Sequence, residues 1–229
     1  MSVAKCFILL GILRRVTIKL FSRYSRKLKR WARKRKLPTL FWILLCIGLV
    51  LAYAYHMNTR RLSVDPSTYT PLLSLIGAVE SNNNYNAYYA NPRNSTIKFT
   101  DMTLNEVMRW QLEFVAAGNP SSAVGRYQII STTLNSLMRE LSLDPNQKFD
   151  QKMQDRMAIA LLERRGSSAY VNNELTAEEL AASLAKEWAA LPKVIGENPE
   201  SSYYAGDGLN ASRVDPAAVI AKVKLLAPR

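Results

Sequence analysis

Nineteen uncharged residues in a row, at positions 39–57, constrain this chain most strongly. The core of the stretch, residues 40–55, reads LFWILLCIGLVLAYAY. A helix of about 20 such residues spans a hydrocarbon layer of about 30 Å. Trp42, Tyr53 and Tyr55 lie near its two ends, where aromatic rings favour the membrane interface. The sequence therefore predicts one transmembrane helix over residues 39–57.

The charges of the chain are divided unevenly by this stretch. Residues 1–61 hold 15 Lys and Arg and no Asp or Glu, whereas residues 62–229 hold 16 basic and 18 acidic residues. Thirteen of the cations lie in residues 1–38, so the positive-inside rule predicts a cytoplasmic N-terminus and a C-terminal part on the far side. A nucleic-acid-binding domain usually carries its positive patch on the folded module itself, so the near-neutral C-terminal part argues against that class.

The segments that flank the predicted span have open interpretations. Residues 1–38 form a basic cytoplasmic segment, which serves as a topology signal or lies along an anionic inner leaflet. Ala52-Tyr53-Ala54 resembles a signal-peptidase site, so cleavage after Ala54 is the alternative to a retained anchor. The long basic preface and the long apolar core favour the anchor. Residues 58–69 are predicted to be a polar linker.

The predicted folded domain, residues 70–229, contains no cysteine and no histidine. Cys6, Cys46 and His56 all precede it. Their positions exclude a disulfide, a thiol nucleophile, Ser-His-Asp catalysis and the usual zinc sites in this domain. If the domain does chemistry, carboxylates must therefore carry it. We expect neither a metal nor a cofactor.

The pattern of apolar residues in this domain predicts a mainly helical fold. Thr70-Pro71 is typical of a helix start, and capping boxes open helices at Thr103 and Thr176. Further helices are predicted over STTLNSLMREL, over DQKMQDRMAIALLERRG and from Asp215-Pro216, and the helix after Thr176 is expected to stop before Pro192. The candidates for a small β region are STIKFTD and GRYQII.

One glutamate stands out at the end of the first predicted helix. Glu80 follows Ile76 and Leu73 at helical spacing, so its carboxyl lies on the flank of the apolar stripe. Partial desolvation there raises the pKa of a carboxyl, which suits a general acid at neutral pH.

A second stretch, SSAVGRYQII at residues 121–130, combines small residues with polar ones. It can present backbone amides, a ring and an amide side chain to a substrate. The alternative interpretation is a tight turn with Tyr127 buried.

Together these motifs resemble the lysozyme-like superfamily. Glu80-Ser81 is followed by the pattern Ala-x-Gly-x-x-Gln at Ala123, Gly125 and Gln128, as in lytic transglycosylases and phage lambda-type endolysins. FTD at 99–101, GRYQ at 125–128, QDRMAIALLERRG at 154–166 and EWAALP at 187–192 follow in the order of the family pattern. The similarity covers about residues 72–210 and implies an α+β lysozyme-like fold with a small β region.

The resemblance implies cleavage of the β-1,4 bond between N-acetylmuramic acid and N-acetylglucosamine. Glu80 matches the catalytic acid/base, and a 1,6-anhydro product needs no second carboxylate. Hydrolysis is the alternative, with Asp101 as the second carboxylate, although Asp101 is equally suited to capping a helix. The residues predicted to bind substrate are Ser81, Gly125, Arg126, Tyr127, Gln128 and Tyr204.

The predicted partners are peptidoglycan glycan strands and a membrane, without nucleic acid. The expected location is the bacterial inner membrane, with the catalytic domain in the periplasm or otherwise outside the cytoplasm. Local wall opening would serve a secretion, conjugation or viral machine, and the chain itself could be virus-encoded. A non-catalytic wall-binding component is the alternative from another class of protein.

Overall fold

The computed structural model describes residues 45–49 and 66–226. The chain divides into two compact units, Met1–Leu62 and Ser63–Arg229. In the first unit, residues 45–49 are helical and exposed. No helix in the described part of the chain is long and apolar enough to cross a membrane.

Most of the predicted N-terminal organisation lies outside the described residues. This holds for the basic segment 1–38, for the span 39–57 apart from residues 45–49, and for residues 58–65 of the linker. Residues 66–69, which the sequence predicts as linker, form a 3₁₀-helix, Pro66–Tyr69, and the Tyr69 side chain is buried. The ordered packing of the second unit therefore begins before position 70.

Between residues 66 and 226 the chain forms seven α-helices joined by turns. They are α1 Thr70–Ser81, α2 Leu104–Ala116, α3 Ser131–Glu140, α4 Gln151–Arg164, α5 Ser167–Val171, α6 Ala177–Leu184 and α7 Pro216–Val223. Two further 3₁₀-helices cover Phe99–Asp101 and Lys224–Leu226. The prediction of a mainly helical domain is confirmed for these residues, whereas α5 was not predicted.

Local sequence signals explain where several helices begin. Thr103 and Glu106 form the predicted capping box of α2, and Thr176 and Glu179 form that of α6. In both boxes the threonine oxygen accepts the glutamate N–H, and the glutamate carboxylate accepts the threonine N–H. Asp150 caps α4 by accepting the N–H of Met153 at 2.8 Å. Unpaired N–H groups at these helix ends are thereby satisfied.

The helix predicted to run as far as Pro192 is much shorter. Helix α6 ends at Leu184, and residues 186–191 form turns. These turns bury the indole of Trp188, whose Nε1–H donates to the Tyr127 carbonyl at 3.3 Å. They also leave the N–H of Ala190 free of helical bonding, so that it can donate to a side chain from another part of the domain.

The β content of the described residues consists of isolated bridges. Val124 pairs with Tyr88 and with Ile129, and Pro192 pairs with Ser202. The two predicted strands are wrong in detail, because FTD in the first forms a 3₁₀-helix and GRYQII forms turns leading into α3. A small β region was expected, and its reduction to single bridges leaves the helices to build the core.

The core of the domain is shared by helices from both ends of this unit. Helix α1 packs against α4 and α7, α6 packs against α5 and α7, and α2 packs against α3. Leu72, Ile76 and Leu161 are among the fully or almost fully buried side chains. Because α1 lies among these elements, both the position and the direction of its C-terminal end are fixed by packing.

Candidate active site

Glu80 lies in the last turn of α1, where the helix gives way to a left-handed turn. Asn82 has φ of 55° and ends the helix, and its N–H donates back to the Ala78 carbonyl at 3.2 Å. The Glu80 side chain is half-buried, and its Oε1 accepts the backbone N–H of Ala190 at 3.2 Å. The turn that follows α6 therefore closes over the carboxyl group and removes part of its water.

The environment of Glu80 changes its protonation. Burial raises the pKa of Glu80 from 4.5 to about 7, and this effect outweighs the Ala190 N–H and the positive charge of Arg213, which both lower it. The Arg213 side chain is exposed and donates to the Val79 carbonyl at 3.1 Å. A carboxyl group with a pKa near 7 can give and take back a proton at neutral pH.

The raised pKa of Glu80 predicts how pH changes folding stability. The carboxyl ionises more easily in the unfolded chain, so its contribution to stability is full below pH 4.5 and is lost as pH rises through about 7. The difference amounts to at most about 3 kcal/mol. We expect Glu80→Gln to remove this loss, so that urea unfolding of variant and native chain diverges between pH 4 and pH 9. If the unfolding free energies of variant and native chain changed in parallel with pH, the raised pKa of Glu80 would be contradicted.

The turn at residues 125–128 is tied directly to the helix that carries Glu80. Ser81 is buried, and its Oγ donates to the Arg126 carbonyl at 2.8 Å and to the Gly77 carbonyl at 3.1 Å. A Cβ on Gly77 would lie 2.5 Å from Arg126 Nε and 2.6 Å from Asn83 Oδ1. The absence of a side chain at Gly77 therefore lets Arg126 pack across α1.

Arg126 is the centre of a cluster of polar and aromatic side chains. Its guanidinium donates to Asn83 Oδ1 at 2.9 Å and to the hydroxyls of Tyr85 and Tyr127 at 2.8 and 2.9 Å. Both hydroxyls donate to Asp155, at 2.9 Å from Tyr85 and 2.6 Å from Tyr127. Arg126 Nη1 is also 3.5 Å from Asp155. We name these five residues the arginine cluster; it links the segment that follows α1, the 125–128 turn and α4.

The backbone of the 125–128 turn is held by a second set of contacts. Gln154 is buried, and its Oε1 accepts the Arg126 N–H at 2.9 Å. Its Nε2 donates to the carbonyls of Tyr85 and Phe149, both at 3.0 Å. Gly125 has φ of +78°, and its N–H donates to the Ala87 carbonyl at 2.8 Å. One amide side chain thus connects three segments that surround the end of α1.

Several residues predicted to bind substrate have structural contacts in the described domain. Ser81 is 1 % exposed and Tyr127 is also 1 % exposed, so neither offers a side chain to a sugar in this structure. The Ser81 hydroxyl donates to the Arg126 carbonyl, and the Tyr127 hydroxyl donates to Asp155. The interpretation of the 121–130 stretch as a tight turn with Tyr127 buried is the one that the structure shows.

The other predicted site residues are more accessible or serve the backbone. Gln128 is half-buried, has φ of 48° and donates to the Gly125 carbonyl at 2.8 Å. Tyr204 is 43 % exposed. Asp101 is exposed and does not cap α2, because Thr103 has that role, and its carbonyl accepts the Lys148 ammonium. The alternative prediction that Asp101 caps this helix is therefore wrong.

Sequence reasoning missed three groups at the site. Asp155 lies in the motif QDRMAIA but was not assigned a role, and Tyr85 lies in the Asn- and Tyr-rich stretch after Glu80. The N–H of Ala190 is a backbone group, which any residue except proline would supply. The spacing of Arg, Tyr and Asp across three segments gives no sequence periodicity, so only the family motifs could have pointed to Asp155.

The described domain is mainly helical, and Glu80, a half-buried glutamate with a raised pKa, lies in the last turn of its first α-helix. Residues 78–205, more than half of the chain, match the sequence model of the endolysin family. The chain therefore belongs to the endolysin family and is a peptidoglycan-cleaving enzyme. The resemblance read from residues 72–210 is confirmed at the level of the family.

Comparison with solved structures and with curated proteins adds two findings. Bacteriophage lambda lysozyme complexed with a chitohexasaccharide is similar to this chain at 19% sequence identity and a TM-score of 0.42. The similarity covers 73% of this chain and 99% of the lambda lysozyme chain. No curated protein matches the chain.

Proposed function

We propose that this endolysin is a lytic transglycosylase in which Glu80 acts alone as acid and base. The observation that carries the proposal is the burial of the Glu80 carboxyl, which raises its pKa to about 7 even though the Ala190 N–H lowers it. At neutral pH a large fraction of the molecules then holds the proton that the leaving sugar needs. After that proton has been transferred, the Ala190 N–H donates to the carboxylate and limits the cost of its negative charge.

The proposed reaction has two proton transfers through the same carboxyl group. Glu80 first gives its proton to the glycosidic oxygen, and the bond from that oxygen to C1 of N-acetylmuramic acid breaks. The 6-hydroxyl of the same sugar then forms a bond to C1 and gives its proton to the Glu80 carboxylate. The group returns to its starting state, and no water molecule is consumed. Because the attacking hydroxyl belongs to the substrate, its proximity replaces a protein nucleophile.

The other carboxylates support this single-glutamate scheme. A hydrolytic glycosidase usually needs a second carboxylate beside the scissile bond. Asp155 is engaged by two tyrosine hydroxyls and lies 3.5 Å from Arg126, so it is committed to the arginine cluster. Asp101 has an exposed side chain. It is the candidate second carboxylate for hydrolysis, which is the alternative reaction.

Product analysis tests the transglycosylase against the hydrolase. We expect digestion of purified sacculi by the full-length chain to give products ending in 1,6-anhydro-N-acetylmuramic acid. These products are lighter by one water molecule than hydrolytic products and resist borohydride reduction, so mass spectrometry before and after reduction identifies them. Reducible ends without anhydro products would mean hydrolysis. A digest with the Glu80→Gln variant serves as the blank.

We also propose that the enzyme acts from the bacterial inner membrane, anchored by residues 39–57 with its N-terminus in the cytoplasm. The charge imbalance around this apolar stretch supports the orientation. Tethering would confine wall opening to the neighbourhood of a secretion, conjugation or viral machine. Protease added to spheroplasts should then digest the catalytic domain while residues 1–38 stay protected; protection of the catalytic domain would contradict the orientation.

A further inference from the structure

Two tyrosines after the 186–191 turns form an exposed aromatic pair. Tyr203 is 51 % exposed and Tyr204 is 43 % exposed, and their ring centroids lie 6.1 Å apart with the planes tilted by 60°. Tyrosine rings of this size usually bury much of their surface, so two neighbouring exposed rings suggest a binding surface. Flat aromatic faces are suited to the apolar faces of sugar rings.

The backbone of this pair is fixed to the segment that contacts Glu80. Ser202 is buried, and its Oγ donates to the Ala189 carbonyl at 2.7 Å. The Tyr204 hydroxyl donates to the Lys186 carbonyl at 2.8 Å. Since Ala190, the next residue after Ala189, donates its N–H to Glu80, the aromatic pair and the acid are held by the same short piece of chain. The backbone of the pair is therefore fixed to the segment that also contacts Glu80.

Lys186 adds a positive charge to this aromatic surface. Its Nζ lies 5.5 Å from the centroid of the Tyr203 ring, within the range of a cation–π contact. The neighbouring Glu187 is paired with Arg165 at 2.8 Å, and Lys186 has no ion pair among the described residues. Asp207, further along the same loop, is occupied by the N–H groups of Leu209 and Asn210, each at 2.8 Å. The ammonium is thus available to an anion.

We infer that Lys186 and Tyr203 form a binding site for a sugar ring that bears a carboxylate. This inference rests on the proposed function and specifies its substrate recognition. In a peptidoglycan strand the carboxylate belongs to the muramyl residue, as the lactyl group of a bare strand or as an acidic group of its peptide. The Tyr203 ring packs on the sugar and the Lys186 ammonium pairs with the carboxylate, so the site distinguishes muramyl glycans from neutral N-acetylglucosamine polymers.

Binding measurements on the full-length chain in detergent test this site without requiring cleavage. All variants carry Glu80→Gln, and calorimetry compares three probes: peptide-free muramyl glycan, peptide-bearing muramyl glycan and the neutral chitohexasaccharide. We expect Lys186→Gln to weaken binding of one or both muramyl glycans by about two- to fivefold, as for an exposed ion pair, and to leave the neutral probe unchanged. We expect Tyr203→Leu to weaken all three by about three- to tenfold.

The comparison of probes decides the inference. Loss confined to the peptide-free glycan assigns the lactyl carboxylate, and loss confined to the peptide-bearing glycan assigns the peptide. Lys224→Gln, which removes an exposed cation from the C-terminal 3₁₀-helix, is the matched control for net charge. An equal effect of Lys186→Gln on charged and neutral probes, an effect as large from Lys224→Gln, or no effect at all would overturn the proposed site.

The outcome of this binding test is independent of the catalytic proposal. Binding is measured with the acid already removed, so the result does not depend on whether cleavage is hydrolysis or transglycosylation. Unchanged binding together with anhydro products would overturn the Lys186–Tyr203 site alone. Probe-selective binding together with reducible products would instead overturn the transglycosylase and leave the site in place.

Discussion

Replacing Glu80 with glutamine is expected to lower the rate of peptidoglycan cleavage by about 10²- to 10⁴-fold, the usual contribution of a general acid/base. The amide has nearly the shape of the carboxyl group, so it can still accept the Ala190 N–H with its oxygen. It cannot give a proton to the glycosidic oxygen at neutral pH. Release of dye from labelled sacculi, measured beside a thermal unfolding curve, separates this loss from loss of fold.

Asp101→Asn is the matched carboxylate control for this substitution. Under the single-glutamate mechanism the variant should cleave within a few-fold of the native rate, because Asp101 takes no proton and makes no bond. A loss as large as that of Glu80→Gln would show that the second carboxylate participates, as hydrolysis requires. If Glu80→Gln cleaved at the native rate, Glu80 would not be the acid, and the single-glutamate mechanism would fail.

The sequence predicts those features of the fold that depend on neighbouring residues. Both capping boxes, at Thr103 and at Thr176, join residues three positions apart, and both are present in the structure. The position of Glu80 at the end of an apolar helix is also a local property, since Leu73 and Ile76 set the buried face of α1. The candidate acid could therefore be selected before any contact between distant segments was known.

Contacts between distant segments explain what the sequence did not predict. Tyr127 was considered for substrate binding, but Asp155, which is 28 positions away, and Arg126 together satisfy its hydroxyl inside the domain. High helix propensity predicts that the helix after Thr176 continues to Pro192, whereas the helix ends at Leu184 and Trp188 is buried beyond it. The partner of Glu80 is a backbone N–H 110 positions away, which no residue type identifies.

Gly125→Ala is expected to destabilise the domain by about 3 to 5 kcal/mol, near the upper end of single substitutions. The added Cβ would lie 2.4 Å from Gln154 Oε1 and 3.1 Å from a ring carbon of Phe149, and the backbone has φ of +78°. Gln154 is fully buried and holds the Arg126 N–H and two carbonyls, so it cannot move without breaking hydrogen bonds. Urea unfolding measures the loss.

Gly118→Ala separates the steric part of this effect from the backbone part. Gly118 has φ of +93°, comparable to that of Gly125, but a Cβ there would have no atom within 4 Å. The cost of this substitution should be about 1 kcal/mol, the strain of a left-handed alanine alone. The difference between the two variants then measures the close packing of the 125–128 turn against α4. Equal losses would show that Gln154 gives way to the added Cβ without cost.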